Sequence, residues 1–197
     1  MTYLERVKLH LQPLASPSPQ DMRRALISLN TKLEELLPFL HSTDKKPYYR
    51  RLLFQNEEVE LLVMNWSQLS CSPHDHGDSQ GWIQVISGST INTIYSCKHG
   101  ELPEALFSRK EQNGSIFYAP KAGIHRMKAN GGHDLVTLHL YSPPIQNMKV
   151  YDLKACAACI VSDECGAWWP EEQHQKIKEM KLKKPGAQPL EKPKQKR

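Results

Sequence analysis

The chain has 197 residues, 39% hydrophobic and 24% charged, with a formal net charge of +5. That composition suits a globular domain with a real core plus a terminal appendage. No stretch approaches the roughly 18 apolar residues of a membrane-spanning helix, and the opening MTYLERVKLH holds no signal-like apolar run, so a cytoplasmic protein is expected.

The positive charge is local. From Lys176 to Arg197 nine basic residues face two acids, a net of +7, while residues 1–175 carry 17 basic and 19 acidic residues, a net of −2. The tail has no aromatics to interleave with its lysines, so it reads as a solvated, disordered end and not as a nucleic-acid surface. The five cysteines, Cys71, Cys97, Cys156, Cys159 and Cys165, are odd in number and clustered late. That excludes a regular secreted disulfide framework.

Residues 1–45 read as helical. Ser16-Pro17-Ser18-Pro19 is a breaker cluster that starts a helix near Gln20, with Met22, Ala25, Leu26 and Leu29 on one stripe. Asn30 or Thr31 caps a second helix whose apolar face is Leu33, Leu36, Leu37 and Leu40, ended early by Pro38. From residue 48 the pattern turns to short β runs: Val59–Trp66, Trp82–Ile86, Thr90–Ser96, Ser115–Tyr118, Ile124–Ala129 and Leu135–Tyr141. Glycine-bearing turns separate them, which predicts a sandwich or barrel over residues 46–152 with the helices packed outside it. Residues 153–175 form a Cys-rich extension, and 176–197 read as a frayed helix and disordered tail.

Three segments carry chemistry. In His74-Asp75-His76 the two imidazoles share one side of a strand, half of a divalent metal site. In Gly114…Pro120…Gly123-Ile124-His125…Asn130 a glycine-punctuated turn delivers a third imidazole. In Thr137-Leu138-His139-Leu140-Tyr141-Ser142-Pro143-Pro144 a hydroxyl, an imidazole and a phenol line one face of a strand. Such a row must be hydrogen-bonded if buried. It is either a proton-donor chain ending beside a metal or a polar ladder that stabilises the barrel. Three histidines suit an iron oxygenase and a zinc hydrolase alike.

The first two segments resemble the paired motifs of the cupin family, a β-barrel of the double-stranded β-helix type. The usual first motif also has a Glu; Gly81 stands there. A neutral three-His site results, which leaves room for an anionic thiolate. The three segments together, from about Tyr48 to Tyr151, resemble cysteine dioxygenase. That resemblance implies one iron(II) per chain on His74, His76 and His125, with L-cysteine and dioxygen as substrates and cysteine sulfinic acid as product. It assigns Tyr141, His139 and Thr137 to catalysis, with Arg50 on the substrate carboxylate and Tyr48 beside it. It also suggests a cis Ser142–Pro143 bond. Animal members carry a cysteine at Gly81 that crosslinks to the tyrosine matching Tyr141. Gly81 rules the thioether out here, as in bacterial-type members.

Other outcomes stay open. Another small thiol, 3-mercaptopropionate or cysteamine, is the first alternative, and a non-oxygenase metal-binding cupin the second. Cys156, Cys159 and Cys165, with His174 as a fourth ligand, are a candidate zinc or dithiol site or plain structural thiols. A monomer without nucleic-acid or membrane partners is expected.

Overall fold

A computed structural model describes residues 1–186 apart from His133. Three helices open the chain: α1 (Tyr3–Leu11), α2 (Pro19–Ser28) and α3 (Leu33–Leu36). Each of the first two starts on a reciprocal cap. Thr2 and Glu5 close α1, and Ser18 and Asp21 close α2 with Pro19 in its first turn. The third helix differs from expectation. It is capped at Lys32, because Asn30 turns the chain through φ +43°. After one turn it tightens into a 3₁₀ segment, Leu37–Phe39, that contains Pro38. Leu37 is therefore 56% exposed instead of lying in the core.

The strands are β1 (Tyr48–Gln55), β2 (Glu60–Trp66), β3 (Gln80–Ser87), β4 (Ser89–Ser96), β5 (Glu104–Gln112), β6 (Ile116–Ala119), β7 (Ile124–Ala129) and β8 (Val136–Ser142). They are followed by β9 (Lys149–Asp152), β10 (Ala157–Val161) and β11 (Lys176–Lys181). One sheet has the order β1-β2-β8-β3-β6. The other elements pair as β5-β4-β7 and β9-β10-β11. His74 joins these two groups, bridging to His125 on one side and Val150 on the other. The result is mostly β with helices on its outside, the architecture expected from the sequence.

Alternation along the strands divides two cores. Outward-facing Leu61, Val63, Val136, Leu138 and Leu140 bury the helix stripe of Val7, Leu11, Met22, Leu26 and Leu29. Inward-facing Leu62, Met64, Trp66, Ile83, Val85 and Tyr141 fill the barrel with Tyr48 and Met127. A strand buried on both faces, β8, lies between them.

The C-terminal reading needs correction. Lys176–Lys181 is a strand, not a frayed helix or disordered tail, and pairs antiparallel with β10 from Ala157↔Lys181 to Val161↔Lys176. Within residues 153–175, Ala157–Val161 is a strand that pairs with β9 and β11. An edge strand gains main-chain hydrogen bonds while exposing most side chains, so Lys-rich sequence is compatible with it. The rest of the expected disordered tail, residues 187–197, lies outside the described residues. Among the described residues no helix is long and apolar enough to cross a membrane.

Candidate metal centre

Antiparallel register aligns the site. Across β1 and β2, Tyr48 opposes Trp66 and Arg50 opposes Met64. Across β2 and β8, Glu60 opposes Tyr141, Leu62 opposes His139 and Met64 opposes Thr137. These side chains therefore share the inner face. Arg51 points the other way, with its guanidinium 6.0 Å from the Phe39 ring centroid.

Opposite them sit the three histidines. His74 and His125 exchange both main-chain hydrogen bonds, at 2.9 and 3.0 Å. One ligand atom from each of His74, His76 and His125 lies within 4.8 Å of the others, and all three residues are buried. Asp75, between them, faces away and accepts from the Gly77 N–H at 3.0 Å and the Lys149 N–H at 3.3 Å.

The donor set fits a metal ion. His74 Nδ1 lies 2.9 Å from the Ser72 carbonyl oxygen, and His125 Nδ1 lies 3.0 Å from Asn92 Oδ1. A ring N–H donated there leaves the Nε2 lone pair free. His125 Nε2 and His76 Nδ1 are buried with no hydrogen-bond partner. Buried nitrogens without a partner are costly, and a bound ion would relieve that cost at a ligating ring. Burial lowers all three pKa values, and for His76 and His125 neighbouring imidazoles lower them further. The rings are neutral, as metal binding requires.

From the centre a hydrogen-bonded row runs along β8. Trp66 Nε1 donates to Thr137 Oγ1 at 2.9 Å, Thr137 Oγ1 lies 2.7 Å from His139 Nε2, and His139 Nδ1 lies 3.1 Å from Tyr141 Oη. Tyr141 Oη in turn lies 3.1 Å from His76 Nε2. Burial holds Tyr141 well above its ordinary pKa, so it keeps its proton, and lowers His139 to about 3. Gly81 pairs with Tyr141 across β3 and β8. A Cβ at Gly81 would meet the Leu140 carbonyl oxygen and the Tyr141 ring, so this position offers no ligand.

Arg50 stands at the edge of the site. It lines both the inner cavity of about 20 Å³ around the histidines and an outer one of about 260 Å³. Its guanidinium donates to the carbonyl oxygens of Asp163 and Cys165. Tyr48 Oη accepts from the Ala167 N–H at 2.7 Å, and burial raises this phenol to about 12. The loop 163–167 thus anchors both residues.

Glu60, Trp66, Asn92 and this loop escape the sequence reading. Period-2 alternation from Trp66 back to Glu60 is the signal available for two of them. For Asn92 and the loop no local signal exists. Among the described residues the candidate zinc cluster is absent. Cys159 and Cys165 are buried, Cys156 is half-buried, all are free thiols, and His174 pairs with Glu164 and Glu172.

The family model for cysteine dioxygenase type I matches residues 25–154. The chain belongs to that family. Cysteine dioxygenase type 1 of Danio rerio is 28% identical over 117 residues, 55% of this chain and 58% of the relative. The Rattus norvegicus protein of the same name is 28% identical over 116 residues with the same coverage. This family member thus spans somewhat over half the length of the curated relatives it matches. Solved structures with some likeness include KdgF from Halomonas sp., at TM-score 0.42 and 18% identity over 52% of this chain and 85% of that one. A Klebsiella pneumoniae protein with a double-stranded beta-helix domain has TM-score 0.47 and 14% identity, over 57% and 86% of the two chains.

Proposed function

We propose that this chain oxidises a small thiol, L-cysteine foremost, to the sulfinate with dioxygen, using one iron(II) held by His74, His76 and His125. The observation that carries the reading is the row from Trp66 through Thr137 and His139 to Tyr141, which ends against the triad. A hydrolase or a passive metal-binding cupin has no evident need of it. Family membership supports the same reading. A ferrous ion in the site would supply the open coordination and redox chemistry that let dioxygen react with a thiolate.

The chain's own residues do the rest. The Trp66 indole can only donate, so Thr137 accepts from it and directs its own hydrogen to His139 Nε2. His139 then donates from Nδ1 to Tyr141 Oη. The Tyr141 hydrogen is thereby directed into the site, where it orients an oxygen of the reacting group. Arg50 faces the substrate carboxylate, with Tyr48 packed beside it. Both oxygen atoms of dioxygen end on sulfur, so the thiol and dioxygen balance the sulfinic acid with no external reductant.

The Arg50 guanidinium serves any carboxylate, which keeps 3-mercaptopropionate as the second reading. Cysteamine, without a carboxylate, uses this residue poorly. The unpaired thiols fit the cytoplasm expected from the sequence. To test the reading, the metal-free protein is loaded anaerobically with iron(II), given a panel of thiols, and followed for dioxygen uptake and sulfinate. One dioxygen consumed per sulfinate from L-cysteine is expected. No uptake with any thiol would overturn the reading.

A further inference from the structure

The outer cavity of about 260 Å³ meets the inner one along a shared wall of Arg50, Leu62, Ile145 and Met148. A ligand that reaches the histidines by way of the outer cavity passes this wall. Three charged side chains line the outer cavity: Arg50, Glu60 and Asp163. Asp163 is exposed, so water and salt screen it. Glu60 is only 8% exposed. Its Oε1 accepts from the Ile145 N–H at 2.8 Å, and Oε2 has no hydrogen-bond partner among the described residues. Glu60 and Arg50 make no direct ion pair there, although the Arg50 charge offsets part of the rise that burial gives the Glu60 pKa, so the cavity presents two opposite charges that do not touch.

We propose that Glu60 is a specificity-determining residue, a charge filter at the mouth of the site that favours net-neutral, zwitterionic aminothiol acids over thiols bearing a carboxylate alone. The inference rests on the thiol-dioxygenase reading for the class of ligand. Arg50 attracts any carboxylate. Glu60, once ionised, is a buried negative charge in the same cavity that repels the same group and attracts an ammonium, and low local polarity strengthens both effects. A zwitterion gains at both poles. A thiol acid without an amine gains at one and loses at the other.

The test compares L-cysteine with 3-mercaptopropionate, in wild type and in Glu60→Gln. Glutamine keeps an acceptor for the Ile145 N–H and removes only the charge. Two readouts are taken on iron-loaded protein: kcat/KM from dioxygen uptake, and equilibrium binding without oxygen by calorimetry. The preference for L-cysteine should fall about tenfold in Glu60→Gln, roughly 1.4 kcal/mol, mostly through KM. Glu60→Asp, which keeps the charge, should retain the wild-type preference, and Asp163→Asn should alter it less than Glu60→Gln.

An unchanged preference in Glu60→Gln would overturn the charge filter. So would its collapse in Glu60→Asp, which marks a structural role. If binding shows the expected loss of preference in Glu60→Gln but wild type consumes no dioxygen, the dioxygenase reading falls and the filter stands.

Discussion

Tyr141 shows how position changes the properties of an ordinary phenol. Its buried environment keeps it protonated, and His139 and His76 flank its oxygen at 3.1 Å each. Replacing it with Phe removes the hydroxyl and leaves the triad intact. Tyr141→Phe should lower turnover by about 10²-fold, with iron content unchanged. Metal analysis beside dioxygen uptake checks this, and loss of iron would contradict the role. Asn92 Oδ1 lies 3.0 Å from His125 Nδ1, where it would orient that ring toward a bound metal. Asn92→Ala should weaken iron binding by about 10- to 100-fold, measured by competition with a chelator. The sequence spacing foretells the pairing of His74 and His76, since HxH puts two rings on one face. It cannot foretell Asn92, which reaches His125 through pairing of β4 with β7.

The elements differ in how openly the sequence announces them. Ser18, Pro19 and Asp21 spell out the start of α2, and the structure begins the helix one residue before the expected position. Ser18 Oγ accepts the Asp21 N–H at 3.2 Å, and the Asp21 carboxylate accepts the Ser18 N–H at 3.0 Å. Ser18→Ala should cost about 1 kcal/mol, seen in urea unfolding as a lower midpoint with unchanged slope. A strand with one more buried face, such as β3, is legible from alternation, and β2, buried on both faces, from its continuous apolar run. Two others are not. In β5 almost every residue is exposed, and in β11 most are. Both owe their form to hydrogen bonding with a neighbour, which leaves no periodic trace in the side chains.

The barrel buries His74, His76, His125 and His139, and that sets its response to acid. His139 has an ordinary pKa of 6.5 and a native value of about 3, chiefly through burial. The unfolded chain therefore binds a proton that the native chain refuses. Stability from this group is complete above pH 6.5 and is lost as the pH falls toward about 3. Its slope is about 1.4 kcal/mol per pH unit. His139→Gln should remove up to one proton's worth of that slope in the metal-free protein, measured by urea unfolding at successive pH values. An unaltered slope would mean that His139 is protonated in the native state. The lowered values of His74, His76 and His125 add to the same trend in the wild type.

Read alone, the residues give the β-rich class, the outer helices and the shared face of His74 and His76, because each follows from a short local period or spacing; His125 joins them only through the family resemblance. Folding adds what depends on register between distant segments. It turns Arg50 inward and Arg51 outward, sets Glu60 across from Tyr141, and brings the 163–167 loop onto Arg50 and Tyr48. It also recruits the basic segment after Gln175 as a barrel strand. A strand partner is chosen by main-chain hydrogen bonds summed over the sheet, and no stretch of side chains records that choice.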